Sequence, residues 1–289
     1  MNAIALAKSY VPLLDAVYQT SSLTSALDGA SELAQAGANA NELIIPTLTM
    51  QGLGKYSRND GYVKGDVTMT NKTVTCNFDR GRMFSVDNMD NAETAGLAFG
   101  RLAGEFIRTK VVPELDAFRF AQYASKTGIG SKSEDITTGE GAVKALRTAI
   151  VTMDDAEVPP EERYLFITST ILSLIEDMDT TASKAVLAMF AKITKVPQGR
   201  FYTAITQNDG TTKGQEAGGF AAATTGKALN FMVIHKPAVI QFEKHIAPKI
   251  ITPEANQNAD AWKYGYRNVG IADAYANKLA GIYENHVAT

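Results

Sequence analysis

The chain has 289 residues, 45% of them hydrophobic and 20% charged, which is material for one or two domains with a substantial core. A formal net charge of −3 excludes avid bulk capture of nucleic acid or acidic membrane, although a local basic face stays open. The single cysteine, Cys76, excludes intrachain disulfides, so packing must hold the fold.

Residues 1–42 are rich in Ala and Ser and are interrupted by Pro12, Gly29 and Gly37. An extended arm lying on other molecules fits this stretch, and so does a loosely packed helix pair. Lys8, Pro12 and Asp15 break the leading apolar run, so no secretory signal is expected. No run of about 18 apolar residues could cross a bilayer. Synthesis in a soluble, intracellular setting is therefore expected, which makes the Asn71-Lys72-Thr73 glycosylation sequon a chance match.

Residues 43–87 read as a long β-ribbon. Val67 to Phe78 carries Thr, Val and Phe in period two, and Asn59-Asp60-Gly61 is a turn signal. The ribbon's faces are mostly Thr, Asn, Lys and Asp, too polar for a core sheet. A two-stranded ribbon is marginal alone in water, so it should be ordered by a partner.

A helix is predicted from Asp90, with Glu93 completing a capping box. Leu97, Gly100, Gly104, Ile107, Val111, Leu115 and Phe118 make its buried stripe, and Arg101, Glu105, Arg108 and Arg119 its opposite side. Some 32 residues would span roughly 48 Å, with a bend at Pro113.

Lys126–Ser133 reads as a hinge loop. Helices are predicted over Glu140–Met153, Ser169–Asp177, Thr181–Phe190 and Ala238–His245. Strands are predicted over Arg163–Thr168, Phe201–Thr206, Leu229–Ile234, Tyr264–Tyr275 and Leu279–Glu284. Asn208–Gly219 is a Gly-rich polar loop, expected to be a flexible tip. The mixture is α+β, with the late strands packing on the long helix.

Signatures of chemistry are missing. Gly128–Ser133 has a phosphate-loop look but lacks the Gly before Lys and the full spacing. His235, His245 and His286 have no zinc-ligand spacing, and His235 reads as a structural residue ending a strand. There is no Gly-x-Ser-x-Gly elbow, and Cys76 reads as a packing residue. Asp154-Asp155 and Glu161-Glu162 belong to solvated turns. No catalytic, cofactor or metal residue is assigned. Asp79-Arg80-Gly81-Arg82 is the richest charge cluster. It is either a solvated turn with an internal Asp–Arg pair or an electrostatic contact between copies, where a forked guanidinium meets a neighbour's carboxylate.

Four strings carry a resemblance: DRGRMFSVDNMDNAETAGLAFGRLAGEFIRTKVVPELDAFRFAQYAS, RYLFITSTILSLIED, LNFMVIHKPAVIQFEKH and YGYRNVGIADAYANKLAGIYENH. In order and texture they resemble the major capsid proteins of tailed bacteriophages, the Hong Kong 97 phage fold. The first looks like a ribbon's return strand joined to a spine helix. The resemblance implies an N-terminal arm (1–42), an E-loop ribbon (43–86), a peripheral-domain spine helix (87–125), an axial domain (126–228) and elements returning mainly to the peripheral domain (229–289).

It further implies a non-enzymatic subunit made in a bacterial host's cytoplasm and residing in the virion. Hexamers and pentamers would tile an icosahedral shell, with a portal protein and non-specifically contacted double-stranded DNA inside, and no membrane or cofactor. The chain starts directly at the arm, so a separate scaffolding protein is expected. Candidate contacts between copies are Lys55, Arg58, Asp60, Lys64, Asp79, Arg80, Arg82, Glu105 and Arg108. Covalent crosslinking through Lys55 or Lys64 is not expected, since no partner Asn or assisting carboxylate can be matched. Bacterial encapsulin compartments resemble the same fold and make the alternative. A flagellin is disfavoured by Pro12, Gly29 and a strand-rich C-terminus. An enzyme with an unrecognised site would need one deep polar pocket.

Overall fold

The computed structural model of the chain describes residues 22–29, 35–36, 42–59, 61–89 and 97–288. In chain order these form β1 (Gln35–Ala36), β2 (Glu42–Met50), β3 (Val67–Thr75), β4 (Phe78–Asp87), α1 (Leu97–Phe106), α2 (Val112–Ala124), β5 (Gly130–Ser133) and α3 (Gly139–Asp155). Then follow β6 (Arg163–Thr168), α4 (Ser169–Glu176), α5 (Thr181–Leu187), β7 (Lys192–Val196), β8 (Ile205–Gln207) and β9 (Phe220–Ala222). The chain closes with β10 (Leu229–His235), β11 (Val239–Ile251), β12 (Ala261–Ala274) and β13 (Ile282–His286).

Two cores organise these elements. The first belongs to a five-stranded mixed sheet of order β5-β13-β10-β6-β7. Its centre is β10, buried at every position, as its apolar run Phe231–Ile234 should be when both faces are covered. Ala142, Val143, Leu146, Ala149, Ile150 and Met153 recur at helical spacing and lay α3 on this sheet. The Thr138 side chain caps α3 by accepting from the Gly141 amide, and Thr180 with Ser183 forms a capping box on α5. The second core surrounds α2, where Phe118, Phe120 and Tyr123 meet Phe166, Phe201, Tyr264 and Tyr266. Over it lies the antiparallel sheet β11-β12-β4.

The ribbon is β2 paired with β3, from Glu42 opposite Thr75 to Met50 opposite Val67. Its return strand is thus β3. Residues 79–87, expected to be that return strand, belong instead to β4, which pairs with β12 along ten positions. The reason is the register change at Cys76-Asn77. Asn77 donates to the Ala272 carbonyl at 2.8 Å and accepts from its amide at 3.1 Å, redirecting the chain onto the peripheral sheet. Cys76 packs, as expected, against a small apolar cluster of Val74, Ile240 and Ile271 at the ribbon's root.

The long helix is not uniform. Asp90 and the expected cap lie outside the described residues, as do the side chains of Leu97, Gly100 and Arg101. Between α1 and α2, Ile107–Val111 is wound as a π-helix, with the Val112 amide donating to the Ile107 carbonyl. Pro113 has no N–H to give to Thr109, and the wider turn absorbs that missing bond. Ile107, Leu115 and Phe118 are buried as the stripe requires, but Arg119 is buried too, at 1% exposure, and not on a solvated face.

Other expectations change with tertiary pairing. The Ala238–His245 helix is strand: β11 pairs with β12 at twelve positions, through a bulge between Glu243 and His245. Val239, Ile240 and Phe242 imitate a helical stripe, but β-branched residues continuing to Ile251 favour the ladder. Gly130–Ser133 is not hinge but a strand parallel to β13. A Cβ on Gly130 would collide with the Tyr283 ring, so this close approach needs glycine. The strand expected over Phe201–Thr206 shrinks to Ile205–Gln207, preceded by an isolated Tyr202–Ala228 bridge. Strand β7, parallel to β6, was masked in the sequence by Lys192 and Lys195.

Candidate functional site

Three places concentrate polar or apolar groups beyond what the cores use. The first is the ribbon tip. The β2–β3 ladder ends at Met50 opposite Val67 and resumes only as a bridge between Ser57 and Gly61. Gly61 adopts φ +78°, the left-handed turn conformation that the Asn-Asp-Gly signal anticipates. Lys55, Arg58 and Lys64 are exposed there, and Asp60 lies outside the described residues. The tip is far less polar than its strands implied. Met50, Leu53, Tyr56, Tyr62, Val63, Val67 and Met69 are all exposed large apolar side chains. Tyr56 and Tyr62 meet edge to face at 4.9 Å. Exposed apolar side chains gathered in one stretch make a candidate interaction surface. Period-two reading of the strands hid it, because Leu53, Tyr56, Tyr62 and Val63 lie where the alternation stops.

The second place is the charge cluster on β4. Asp79 pairs with Arg267 of β12 through two nitrogens, at 2.8 and 2.5 Å. Arg80 donates Nε to Glu114 Oε1 at 2.8 Å and Nη2 to the carbonyls of Asn208 and Gly219. Arg82 donates to the carbonyls of Ala217 and Glu216 at 2.8 and 3.0 Å. The expected solvated turn with an internal Asp–Arg pair is instead strand, and Asp79 takes its arginine from outside the cluster; neither reading foresaw the contacts of Arg80 and Arg82. The Asn208–Gly219 loop, expected to be a flexible tip, is strapped to β4 by two arginines. A Cβ on Gly218, which has φ +68°, would come 2.7 Å from the Arg82 guanidinium, so glycine lets the strap close. Glu105 and Arg108 form an exposed i,i+3 pair at 2.7 Å. Between β4, β12, the helix and this loop opens a cleft of about 830 Å³, lined on one side by Phe84, Leu102, Phe106 and Tyr266.

Glu114 sits at the inner edge of that cleft. Burial pushes its carboxyl above the usual carboxylate range, and the neighbouring Arg80 only partly opposes this. A raised folded-state value means stability present below the ordinary value of 4.5 and lost as pH rises through the raised one. Glu114→Gln removes that component. The melting temperature of the variant relative to the parent is therefore expected to climb between pH 4.5 and 7, measured by calorimetry across that range. A flat or falling difference refutes the assignment.

The third place is a buried polar clasp. Asp116, fully buried on α2, accepts from Ser22 Oγ at 3.0 Å, Thr24 Oγ1 at 2.7 Å and the amides of Leu23 and Thr24 at 3.1 and 3.3 Å. Arg119, one helical turn on, donates to Thr24 Oγ1 at 2.9 Å and to Glu243 Oε1 at 3.2 Å, with Asp28 at 3.6 Å. Gln241 donates to the Thr24 carbonyl and to Asp28, both at 2.7 Å, and accepts from the Tyr123 hydroxyl. Burial raises the Asp28 carboxyl, with Arg119 pulling the other way. Burial likewise raises the Tyr123 hydroxyl. Residues 22–29 of the expected arm are thus bound to their own chain. Residues 1–21 lie outside the described residues.

Among the described residues no group of His, Cys, Asp and Glu is placed to hold a metal ion. His235 ends β10 almost buried, and burial lowers its imidazole below the ordinary value. His286 lies 3.0 Å from Glu284.

No family profile matches the sequence, and no curated protein does. Solved structures do match. A chain described as Gordonia phage Cozz aligns at a TM-score of 0.59 and 10% identity, over 93% of this chain and 87% of that one. The capsid structure of Staphylococcus phage Andhra aligns at 0.57 and 11%, over 91% and 83%. A virus-like particle from Pyrococcus furiosus aligns at 0.56 and 9%, over 93% and 98%. Tailed-phage capsid proteins dominate these neighbours, and the chain has their fold, the α+β Hong Kong 97 phage fold.

Proposed function

We propose that this chain is the major capsid protein of a tailed double-stranded DNA bacteriophage, assembling with itself into an icosahedral shell. The observation that carries the reading is the capsid fold over nearly the whole chain, together with a ribbon whose apolar tip its own chain leaves uncovered. Self-association is the coarse partner, in hexamers and pentamers. A scaffolding protein, a portal protein and DNA held without base reading are the finer ones. The near-neutral charge suits DNA that must later leave. Among the described residues no helix is long and apolar enough to cross a membrane.

The work of such a subunit is mechanical, and no reaction is assigned to it. Exposed ion pairs are worth about 0–1 kcal/mol each. A shell stable against internal pressure must therefore add many symmetry-related apolar burials to them. Lys55, Arg58, Lys64, Glu105 and Arg108 stay candidates for those contacts, since all are exposed. Asp79, Arg80 and Arg82 could serve only beside the intrachain bonds they already make.

Electron microscopy of the purified, concentrated protein is the test. Angular hollow particles of uniform size are expected. Small oligomers at every concentration and salt would refute the reading. The similarity to the Pyrococcus furiosus particle keeps a protein-storing compartment of the encapsulin kind as the second reading. Particles recovered from the native source filled with nuclease-protected DNA decide for the phage shell, and enzyme cargo without DNA decides for the compartment.

A further inference from the structure

Away from the three places above, a chain of polar side chains crosses one end of the five-stranded sheet. Lys132 of β5 stands opposite Asn285 of β13 in their parallel pairing, so the two side chains share a face. Glu134, two residues on from Lys132, joins them. Its Oε2 lies 2.7 Å from the Lys132 ammonium, and its Oε1 accepts from Asn285 Nδ2 at 2.7 Å. Asn285 Oδ1 in turn accepts from Asn230 Nδ2 at 2.7 Å. Asn230 occupies the register slip between Leu229 and Phe231 in the β10–β13 ladder, and a bulge re-aims the side chain it carries. Its Nδ2 also donates to the Glu134 carbonyl at 3.0 Å. Asn285 is fully buried and Asn230 nearly so, while the Lys132 and Glu134 side chains lie at the rim, 41% and 27% exposed.

An ammonium and an amide do not react unaided. The amine must lose a proton, the carbonyl must be polarised, and the departing nitrogen must gain a proton. A contact exists for each. The Glu134 carboxylate touches both the nitrogen that attacks and the nitrogen that leaves. Asn230 Nδ2 donates to the oxygen on which negative charge develops as Asn285 Cγ becomes tetrahedral. Holding both reactants on one carboxylate makes their encounter intramolecular. Among the described residues, the acids of the pairs Lys126–Asp273, Lys184–Asp179 and Lys195–Glu176 hold a lysine but no carboxamide.

We propose that Lys132, Glu134 and Asn285 form an autocatalytic isopeptide site, in which Lys132 Nζ bonds to Asn285 Cγ within one chain. The Nζ–Cγ bond forms and the Cγ–Nδ2 bond breaks. Glu134 takes two protons from Nζ in turn and passes both to Nδ2, ending as the carboxylate it was at the start. An ammonium side chain and a carboxamide thus become one amide and one free ammonium ion, with no further reactant. The bond ties the edge strand β5 to the last strand β13 and closes every element between them into a covalent ring. Such a crosslink restricts the unfolded chain, more so for a long loop, and keeps the last strand from peeling away. It needs one copy only, so it forms with or without assembly.

Intact mass spectrometry of the folded full-length chain, fresh and after prolonged incubation, is the test. The parent is expected to be lighter than its sequence by one ammonia, and its digest to contain a branched peptide joining Lys132 to Asn285. Lys132→Arg keeps a cation beside Glu134 but cannot form the bond, and Glu134→Gln cannot relay the protons; both should keep their full mass. The branched peptide is sought in the parent itself, so the result does not depend on either variant folding. A parent of full mass after incubation overturns the site. Ammonia loss that persists in Lys132→Arg is an asparagine cyclising on its own backbone, and it overturns the site as well. Loss abolished in Lys132→Arg but retained in Glu134→Gln supports the bond and removes Glu134 from its catalytic role.

Discussion

Arg119→Ala lowers the melting temperature by about 10 °C, whereas Arg108→Ala leaves it within about 1 °C. Both residues belong to the same long helical segment, and both touch carboxylates. The difference lies in the surroundings. Arg108 and Glu105 are each 59% exposed, and exposed pairs of this kind contribute about 0.3–0.5 kcal/mol. Arg119 is buried and serves Thr24, Glu243 and Asp28 together. Removing it takes the cation from the near-buried Glu243 and the partly buried Asp28, and breaking a pair on the buried side costs about 3–5 kcal/mol. For a chain of this size each kcal/mol shifts melting by roughly 2–4 °C. The damage is also local. Residues 22–29 are held mainly by these polar bonds, with Leu27 as the buried apolar anchor. Limited proteolysis of the alanine variant should therefore cut near residues 22–29 well before the five-stranded sheet unfolds. Equal melting of the two variants would mean that the clasp carries no stability.

How much of this was legible in the sequence depends on the length scale of each signal. The ribbon, the apolar strand Leu229–Ile234, helix α3 and the strands near Tyr264–Tyr275 and Leu279–Glu284 were readable, because period and capping are local properties. What failed was decided by partners distant in sequence. Val239–Ile251 becomes strand because β12 supplies a ladder along twelve positions. Arg119 looks like a surface residue until Asp28 and Glu243, both far away in the chain, arrive to satisfy it. The Asn208–Gly219 loop looks mobile until Arg80 and Arg82 bind its carbonyls. Lys132 and Asn285 give no signal at all in sequence, being brought side by side only by the β5–β13 pairing. The nine named contact residues were chosen for their charge alone. That choice passed over the apolar side chains of the tip, where exposed Leu53, Tyr62 and Val63 interrupt the polar pattern.

Excising the tip separates folding from assembly. Joining Met50 to Val67 through Asn-Gly replaces residues 51–66 with a two-residue turn. Those two positions already face each other in register, and a type I′ turn matches the twist of such a pair. No described residue of the excised stretch belongs to any of the three apolar clusters. The shortened chain should therefore melt within about 2 °C of the parent, and its solubility should rise as exposed apolar surface leaves. Assembly should fail almost completely, with particle yield down at least a hundredfold by sedimentation, since on the proposed reading each subunit loses a contact that symmetry would multiply over the whole shell. Two results would oppose this. Normal particles from the shortened chain would show that the tip is dispensable and that shell contacts lie elsewhere. A large drop in melting temperature in the unassembled protein would show that the tip was packing on its own chain, and that the ribbon is a fold element before it is a bond between copies.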